Sequence, residues 1–501
     1  MFQHSILNSP NQNNSLRCSI IAFMKNTDVR TRMAPSPTGD MHVGSMGVLL
    51  KNYAFAKKNG GKFILRIEDT DKEREVPGAI GRIQDIITAY GLDWDEGPGK
   101  GGAYGPYIQS ERMQLYTDMA NDLIKKGKAY YCTCSRERLE TLRDSQRAAK
   151  VPPKYDKFCR DRQDEVSREI AAGKDYVIRL KTPDNQDVTF TDLLRGKITF
   201  NTASIDDQVL LKSDGYPTYH LAVVVDDHSM NISHIMRGEE WISSTPKHVL
   251  LYHAFEWDMP VFAHMPIYLN PDGKGKMSKR KGTVSAQSFL DRGYLPEALL
   301  NFFMILGWAH PEEKEILTLD EYIQHFDPKD VSSKSVVFDL KKLDWINGMY
   351  IRQLSLSELE TKIAPFVPNT FPTEMVSGVL PLIHERLEKL SDFEELTTFF
   401  IGDIEIPTDL LLKKSTASDV AQQLEQTITG LEESTDWTIE SIETVIRSLQ
   451  EKHNWKRNQY FMMIRVATTG KKATPPLFET MQLIGKPGIL ERLRTALQNC
   501  N

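Results

Sequence analysis

Apolar residues alternate along Lys62-Phe-Ile-Leu-Arg-Ile-Glu68, with Phe63, Leu65 and Ile67 on one face, and this period of two predicts a β-strand. Upstream, residues 46–55 form an apolar run of helical spacing that opens at His42-Val-Gly44. Downstream, Asp69-Thr-Asp71 is a polar exit loop, and residues 78–90 carry the pattern of an amphipathic helix. Strand, crossover helix and strand in this order imply a parallel sheet with right-handed connections. The pattern resumes at Tyr219-His-Leu-Ala-Val-Val-Val225, a near-continuous apolar stretch expected of a strand covered on both faces and ended by Asp226-Asp-His228. A further strand and turn are predicted over 234–241, and a helix over 241–257. Beyond Gly348 the strand signals fade, and helical spacing dominates 358–366, 379–393, 417–431 and 438–452.

These elements predict an α/β chain built on a split Rossmann-type nucleotide-binding domain. Its halves occupy residues 28–109 and 212–262, and an α+β insertion with a helix over 111–127 and strands over 176–181 and 197–200 fills 110–211. Residues 263–348 follow, and 349–501 form an all-α region. The Gly- and Pro-rich stretch 93–109 is a long loop of the kind that is usually functional. A length of 501 residues agrees with about three domains.

Composition adds little to this, being 40% hydrophobic and 26% charged. The net charge of −6 argues against nucleic-acid binding by the whole surface and directs attention to local charge. Residues 415–451 carry eight acids against Arg447 alone, whereas 452–472 hold six Lys and Arg with no acid. Trp455, Tyr460 and Phe461 lie among those cations, a mixture suited to unpaired bases or, equally, to a solvated helix face beside core aromatics. No run of 18 apolar residues exists, so no membrane span is expected. Residues 1–27 are expected to be a disordered extension, with translation starting at Met24 or a weak organelle-targeting segment as alternatives.

Candidate chemistry concentrates in four places. In Arg30-Thr-Arg-Met-Ala-Pro-Ser-Pro-Thr-Gly-Asp-Met-His-Val-Gly44, Pro35 and Pro37 keep the chain extended and Gly39 allows a sharp turn. The helix N-terminus that follows is expected to point free N–H groups at an anion, with Gly44 letting a nucleotide approach the backbone. Lys276-Met-Ser-Lys-Arg-Lys-Gly282 puts four cations in a glycine-flanked loop, able to stabilise charge growing on phosphoryl oxygens. Cys132-Thr-Cys134 and Cys159 form a thiolate cluster of metal-ligand spacing, with no obvious fourth ligand. Arg32, Glu68 and Arg237 fall at predicted strand ends on the ligand side of the sheet.

The first two stretches together resemble the paired signatures of class I aminoacyl-tRNA synthetases, in the form used by bacterial-type glutamyl enzymes. The resemblance runs from about Val29 to the C-terminus. It includes Arg66-Ile-Glu-Asp-Thr-Asp71, Gly215-Tyr-Pro-Thr-Tyr-His220, Arg237-Gly-Glu-Glu-Trp241, Thr245-Pro-Lys-His248 and Thr474-Pro-Pro-Leu-Phe478. It implies Mg-ATP at Pro35, Ser36, Pro37, Thr38, Gly39, His42, Gly44, Met277, Ser278, Lys279 and Arg280, with His42, Gly44, Lys276 and Lys279 as catalytic groups. It implies L-glutamate at Arg32, Ala34, Ser36, Glu68, Tyr219, Val223 and Arg237. Val223 stands where the resemblance leads one to expect asparagine, and Arg237 favours a carboxylate over an amide side chain.

The implied partner is tRNA-Glu, gripped at its acceptor end by the insertion and at its anticodon by the helical third, where Arg386 lies near the position that tests the last anticodon base. The resemblance further implies a structural Zn²⁺ in the insertion, with Tyr155 or Asp161 joining Cys132, Cys134 and Cys159 as its fourth ligand; a monomer and a cytoplasmic location complete the expectation. Alternatives are a form that also charges tRNA-Gln, a tRNA-modifying glutamyl transferase of the same fold, and a non-catalytic RNA-binding protein.

Overall fold

The computed structural model describes residues 29–277, 284–413 and 415–500. Strand β1 (Arg30–Met33) leads through helix α1 (Val43–Lys58) to β2 (Lys62–Leu65), which pairs with β1 in parallel, Arg30 opposite Lys62. The alternation read in β2 becomes burial on both faces, since Ile64 and Arg66 are as deeply buried as Phe63 and Leu65. Helix α1 begins only after the two prolines. The His42 backbone is extended and its ring Nδ1 accepts the Gly44 N–H at 2.9 Å, while Lys57 and Lys58 in the last turn suit the negative end of the helix dipole. Helix α2 (Ala79–Ala89) falls where its spacing predicted it.

The insertion opens with helix α3 (Met113–Lys125). Strands β3 (Ala129–Cys132), β4 (Val177–Leu180) and β7 (Val209–Leu211) form an antiparallel sheet, and β5 (Asp187–Asp192) and β6 (Gly196–Asn201) form a hairpin between β4 and β7 in sequence. Sequence spacing found β4 and β6 but not β3, β5 and β7. The hairpin is not confined to the insertion. Asp192 at the end of β5 pairs with Phe262 of β9 (Val261–Met265), giving a sheet of order β6-β5-β9-β8, where β8 is His234–Gly238.

The expected strand over 219–225 is helix α4 (Tyr219–Ser229). A helix buried around its whole circumference is as continuously apolar as a buried strand, so valine-rich composition misleads here. Leu221 to Asp227 are all buried, and the two aspartates at the end are buried with them. The predicted 241–257 helix divides into a 3₁₀ segment (Glu239–Ser244) and helix α5 (Thr245–Phe255). The halves of the split sheet meet at β1, whose Arg30 carbonyl accepts the Ser233 N–H at 3.0 Å just ahead of β8.

Two compact units emerge, one of residues Met1–Gln287 with Leu300–Phe338, the other of Ser288–Leu299 with Asp339–Asn501. The second contains no strand among its described residues. Its helices start at side-chain caps such as Thr416, Thr438 and the Ser355–Glu358 capping box. The predicted helix over 379–393 breaks, because Leu390 N–H turns to the Gly293 carbonyl and the Asn347 side chain takes the Glu388 carbonyl. Tyr460 is wholly buried, its hydroxyl 2.7 Å from Thr427 Oγ1, so it is a core aromatic and not a base-stacking one. Among the described residues no helix is long and apolar enough to cross a membrane.

Lys51 of α1 is fully buried with no carboxylate partner among the described residues, its ammonium 3.4–3.5 Å from the Gly47 and Phe303 carbonyls and the Tyr268 hydroxyl. Burial pushes its pKa down to about 8, a penalty of roughly 3 kcal/mol at neutral pH. Lys51→Met is expected to raise stability by about 1–3 kcal/mol in urea denaturation. Wild-type stability should also rise with pH between about 8 and the ordinary lysine range, where the unfolded chain alone holds the proton, and the variant should lack this slope.

Candidate active site

A cavity of about 1120 Å³ opens at the carboxyl ends of β1, β2 and β8, the place where ligands sit in open parallel sheets. Arg32, Ala34, Pro35, Ser36, His42, Gly44, Glu68, Tyr219, Arg237, Lys276 and Met277 all line it. Pro37, Thr38, Gly39 and Val223 do not; Val223 packs into the hydrophobic core. Gly39 has φ +133°, a conformation that explains a glycine at the turn. Ser278, Lys279 and Arg280 lie outside the described residues.

The two sequence signatures converge. Met277 N–H donates to the Tyr268 carbonyl at 2.8 Å, closing a hairpin in which Leu269 faces Lys276. On the far side of the cationic loop, Val284 and Ser285 lie against the start of α1. Val43 N–H donates to the Val284 carbonyl at 2.9 Å, Ala286 N–H to the Met41 carbonyl at 2.8 Å, and His42 pairs with Ser285. This corrects the expectation of free N–H groups at the helix start. Val43 and Gly44 spend theirs on Val284 and on the His42 ring, so what the N-terminus offers an anion is its dipole. A Cβ on Gly44 would come within 3.1 Å of His42 Nδ1, so the glycine also serves the cap itself.

The floor of the cavity is ionic. Arg32 donates through Nε and Nη2 to both oxygens of Asp227 (3.1 and 3.3 Å), and Arg66 reaches Asp227 at 2.7 Å and Glu68 at 3.0 Å. Arg112 and the Tyr116 hydroxyl hold Asp226. Burial alone would raise the Asp227 pKa, but Arg32 and Arg66 hold it below the usual carboxylate range. Burial outweighs Arg66 at Glu68 and raises it. Arg237 is as buried as Arg32 but differs in its partners: among the described residues its guanidinium has no carboxylate partner and meets Thr245, His248, His264 and the Tyr219 side chain. Tyr219 stacks on Trp241 with ring centroids 4.5 Å apart, and burial pushes its hydroxyl up to about 12. Asp226, Asp227 and His264 escaped the sequence reading; an Asp-Asp pair inside an apolar run was the one available signal.

In the insertion, the sulfurs of Cys132, Cys134 and Cys159 lie within 4.8 Å of one another. The Tyr155 hydroxyl oxygen sits 3.4 and 3.5 Å from the first two, whereas Asp161 is exposed and outside the cluster. Hydrogen bonds from Cys134 and then Cys159 hold the Cys132 thiol well below its usual pKa. Three sulfurs and one oxygen around a common point make a donor set that suits a tetrahedral, thiophilic cation.

A split parallel sheet, a helix N-terminus and a lysine-bearing hairpin around one cavity define a Rossmann-type nucleotide-binding catalytic domain followed by a helical domain. Residues 28–345 match the family described as "tRNA synthetases class I (E and Q), catalytic domain", and residues 357–497 match "Anticodon binding domain". The chain belongs to the class I tRNA synthetase (E and Q) family. It is 45% identical over 480 residues to a glutamate–tRNA ligase of Dehalococcoides mccartyi, covering 94% of this chain and 97% of that one. It is 44% identical over 483 residues to one of Acidothermus cellulolyticus, covering 93% and 95%. Among solved structures it is similar to a glutamate–tRNA ligase of Elizabethkingia meningosepticum in complex with its amino acid (TM-score 0.84, 34% identity, 95% of this chain and 100% of that one). The glutamate–tRNA synthetase of Elizabethkingia anophelis gives a TM-score of 0.85 at 35% identity, with 94% and 100% covered.

Asp227→Asn leaves two buried guanidiniums facing a neutral group and is expected to cost about 3–5 kcal/mol, read as a lower urea midpoint. Because the Asp227 pKa is depressed, its contribution is complete above the normal carboxylate range and is lost only as pH falls through the lower folded value.

Proposed function

We propose that the chain joins L-glutamate to the 3′-terminal adenosine of tRNA-Glu at the expense of Mg-ATP. The observation that supports this best is Arg237, a buried cation lining the same cavity as His42 and Lys276 and free of any carboxylate among the described residues. A side-chain carboxylate would pair with it; a neutral amide would leave it buried and unpaired. Glu68 would meet the ammonium of the amino acid beside Tyr219, with Arg32 also toward the substrate.

In the first step an α-carboxylate oxygen of glutamate attacks the α-phosphorus of ATP. The bond to the bridging oxygen breaks, pyrophosphate leaves and glutamyl-adenylate remains. In the second, a terminal ribose hydroxyl of the tRNA attacks the acyl carbon and AMP departs. Neither step calls for a protein nucleophile, so catalysis is placement and charge stabilisation. His42 Nδ1 is committed as the acceptor of Gly44 N–H, which fixes the ring at the cavity wall where phosphoryl oxygens would lie. Lys276, Lys279 and Arg280 would supply cations to the leaving pyrophosphate. Cys132, Cys134, Cys159 and Tyr155 would hold a Zn²⁺ whose chemistry is structural, cross-linking the insertion that grips the acceptor end. A monomeric, cytoplasmic enzyme is the form proposed.

Glutamate-dependent pyrophosphate exchange in the presence of tRNA tests the reading, and its absence would count for a non-catalytic RNA-binding role. Charging of purified tRNA-Glu and tRNA-Gln, side by side, reads the scope. Lys279→Ala is expected to lower kcat about 100-fold; a loss under threefold would remove the loop from the chemistry. Purified protein should carry about one zinc per chain by atomic absorption, and Cys134→Ser should lose it together with thermal stability.

A further inference from the structure

Arg237 Nε–H points at His264 Nε2, 3.2 Å away, and on the other side of the ring His264 Nδ1 lies 2.7 Å from Asp192 Oδ2. An arginine nitrogen can only donate. His264 Nε2 must therefore carry the lone pair, with the ring proton on Nδ1 and given to Asp192. The opposite tautomer would set donor against donor at Arg237 and acceptor against acceptor at Asp192. The same logic runs along a second arm: Arg237 Nη1 meets His248 Nδ1 at 3.2 Å, and His248 Nε2 meets His220 Nδ1 at 3.0 Å. Burial lowers all three histidines, His220 to about 4, so the rings facing the cation are neutral.

This arrangement has a purpose that a direct ion pair would defeat. A carboxylate on Arg237 would cancel the charge that the site offers, as Asp227 occupies two nitrogens of Arg32. On this arm, among the described residues, the acid stands one imidazole removed from the guanidinium. Neither His264 nor Asp192 lines the cavity, and both are buried. Asp192 is the last residue of β5, where the insertion hairpin joins the main sheet, and it is fixed further by accepting the His264, Leu194 and Arg195 N–H groups.

We infer that Asp192 and His264 are positioning residues for substrate selection: Asp192 fixes the His264 tautomer, and that tautomer aims a fully charged Arg237 at the side-chain carboxylate of the amino acid. The inference rests on the glutamate reading of the cavity.

The test measures KM for glutamate, KM for ATP and kcat of aminoacylation for the full chain and its variants. His264→Leu, which removes the acceptor, should raise the glutamate KM at least tenfold while moving the ATP KM and kcat less than threefold. His264→Gln, whose side-chain oxygen can stand where Nε2 stood, should bring the glutamate KM back to within threefold. Asp192→Asn should raise it as His264→Leu does. Leu and Gln variants that behave alike, or a loss confined to kcat, would overturn the inference. Should the variants not fold, ring ¹⁵N shifts of the wild-type histidines still decide: no neutral, buried ring protonated at Nδ1 would also overturn it. Arg237→Ala separates the two levels. If it leaves the glutamate KM unchanged, the glutamate reading itself fails; if it raises that KM and His264→Leu does not, only the positioning role fails.

Discussion

The site depends on a buried exchange of charge between α4 and the sheet. Asp226 and Asp227, adjacent on one helix, receive Arg112 on one side and Arg32 with Arg66 on the other. Each carboxylate would be costly alone in the interior, and each guanidinium likewise; together they lock strands from the first half of the domain to a helix from the second. Because Arg32, Glu68 and Tyr219 all belong to these elements, the geometry of the cavity floor follows from the ionic lattice beneath it. Arg237 stands apart, solvated by hydroxyl and imidazole rather than by acid, and so keeps its charge for a ligand.

The frame was legible wherever local pattern and local structure coincide. The proline-spaced loop, α1, β2 and α2 could be read from spacing and turn chemistry. Tyr219 to Val225 could not, because periodicity carries no information once every face of an element is buried. The helix expected over 379–393 broke for the complementary reason, since distant partners, the Gly293 carbonyl and the Asn347 side-chain amide, override local propensity.

Among site residues, charged groups at strand ends were legible, as was the thiol cluster, where geometry brings Tyr155 to the sulfurs and leaves Asp161 outside. His264 and Asp192 were not, because their importance lies in a donor–acceptor order that exists only when β5, β8 and β9 are side by side. The roles of Val43 and Gly44 also changed once Val284 and His42 claimed their N–H groups. Sequence showed which chemistry was available; partners remote in the chain set how it is spent.

The placement of β1 between β2 and β8 bears on how the chain is made. One edge of β1 finds its neighbour within the next 32 residues, but Ser233, which meets the other edge, lies 203 residues downstream. At ordinary translation speeds roughly 10–40 s separate the two. During that interval the nascent polypeptide exposes a bare parallel edge and an Arg32 side chain whose partner Asp227 is not yet made, whereas Arg30 can already meet Glu96 and Arg66 can meet Glu68. That waiting positive charge, repelling any like strand, would guard the open edge against sticking to its neighbours on a crowded polysome.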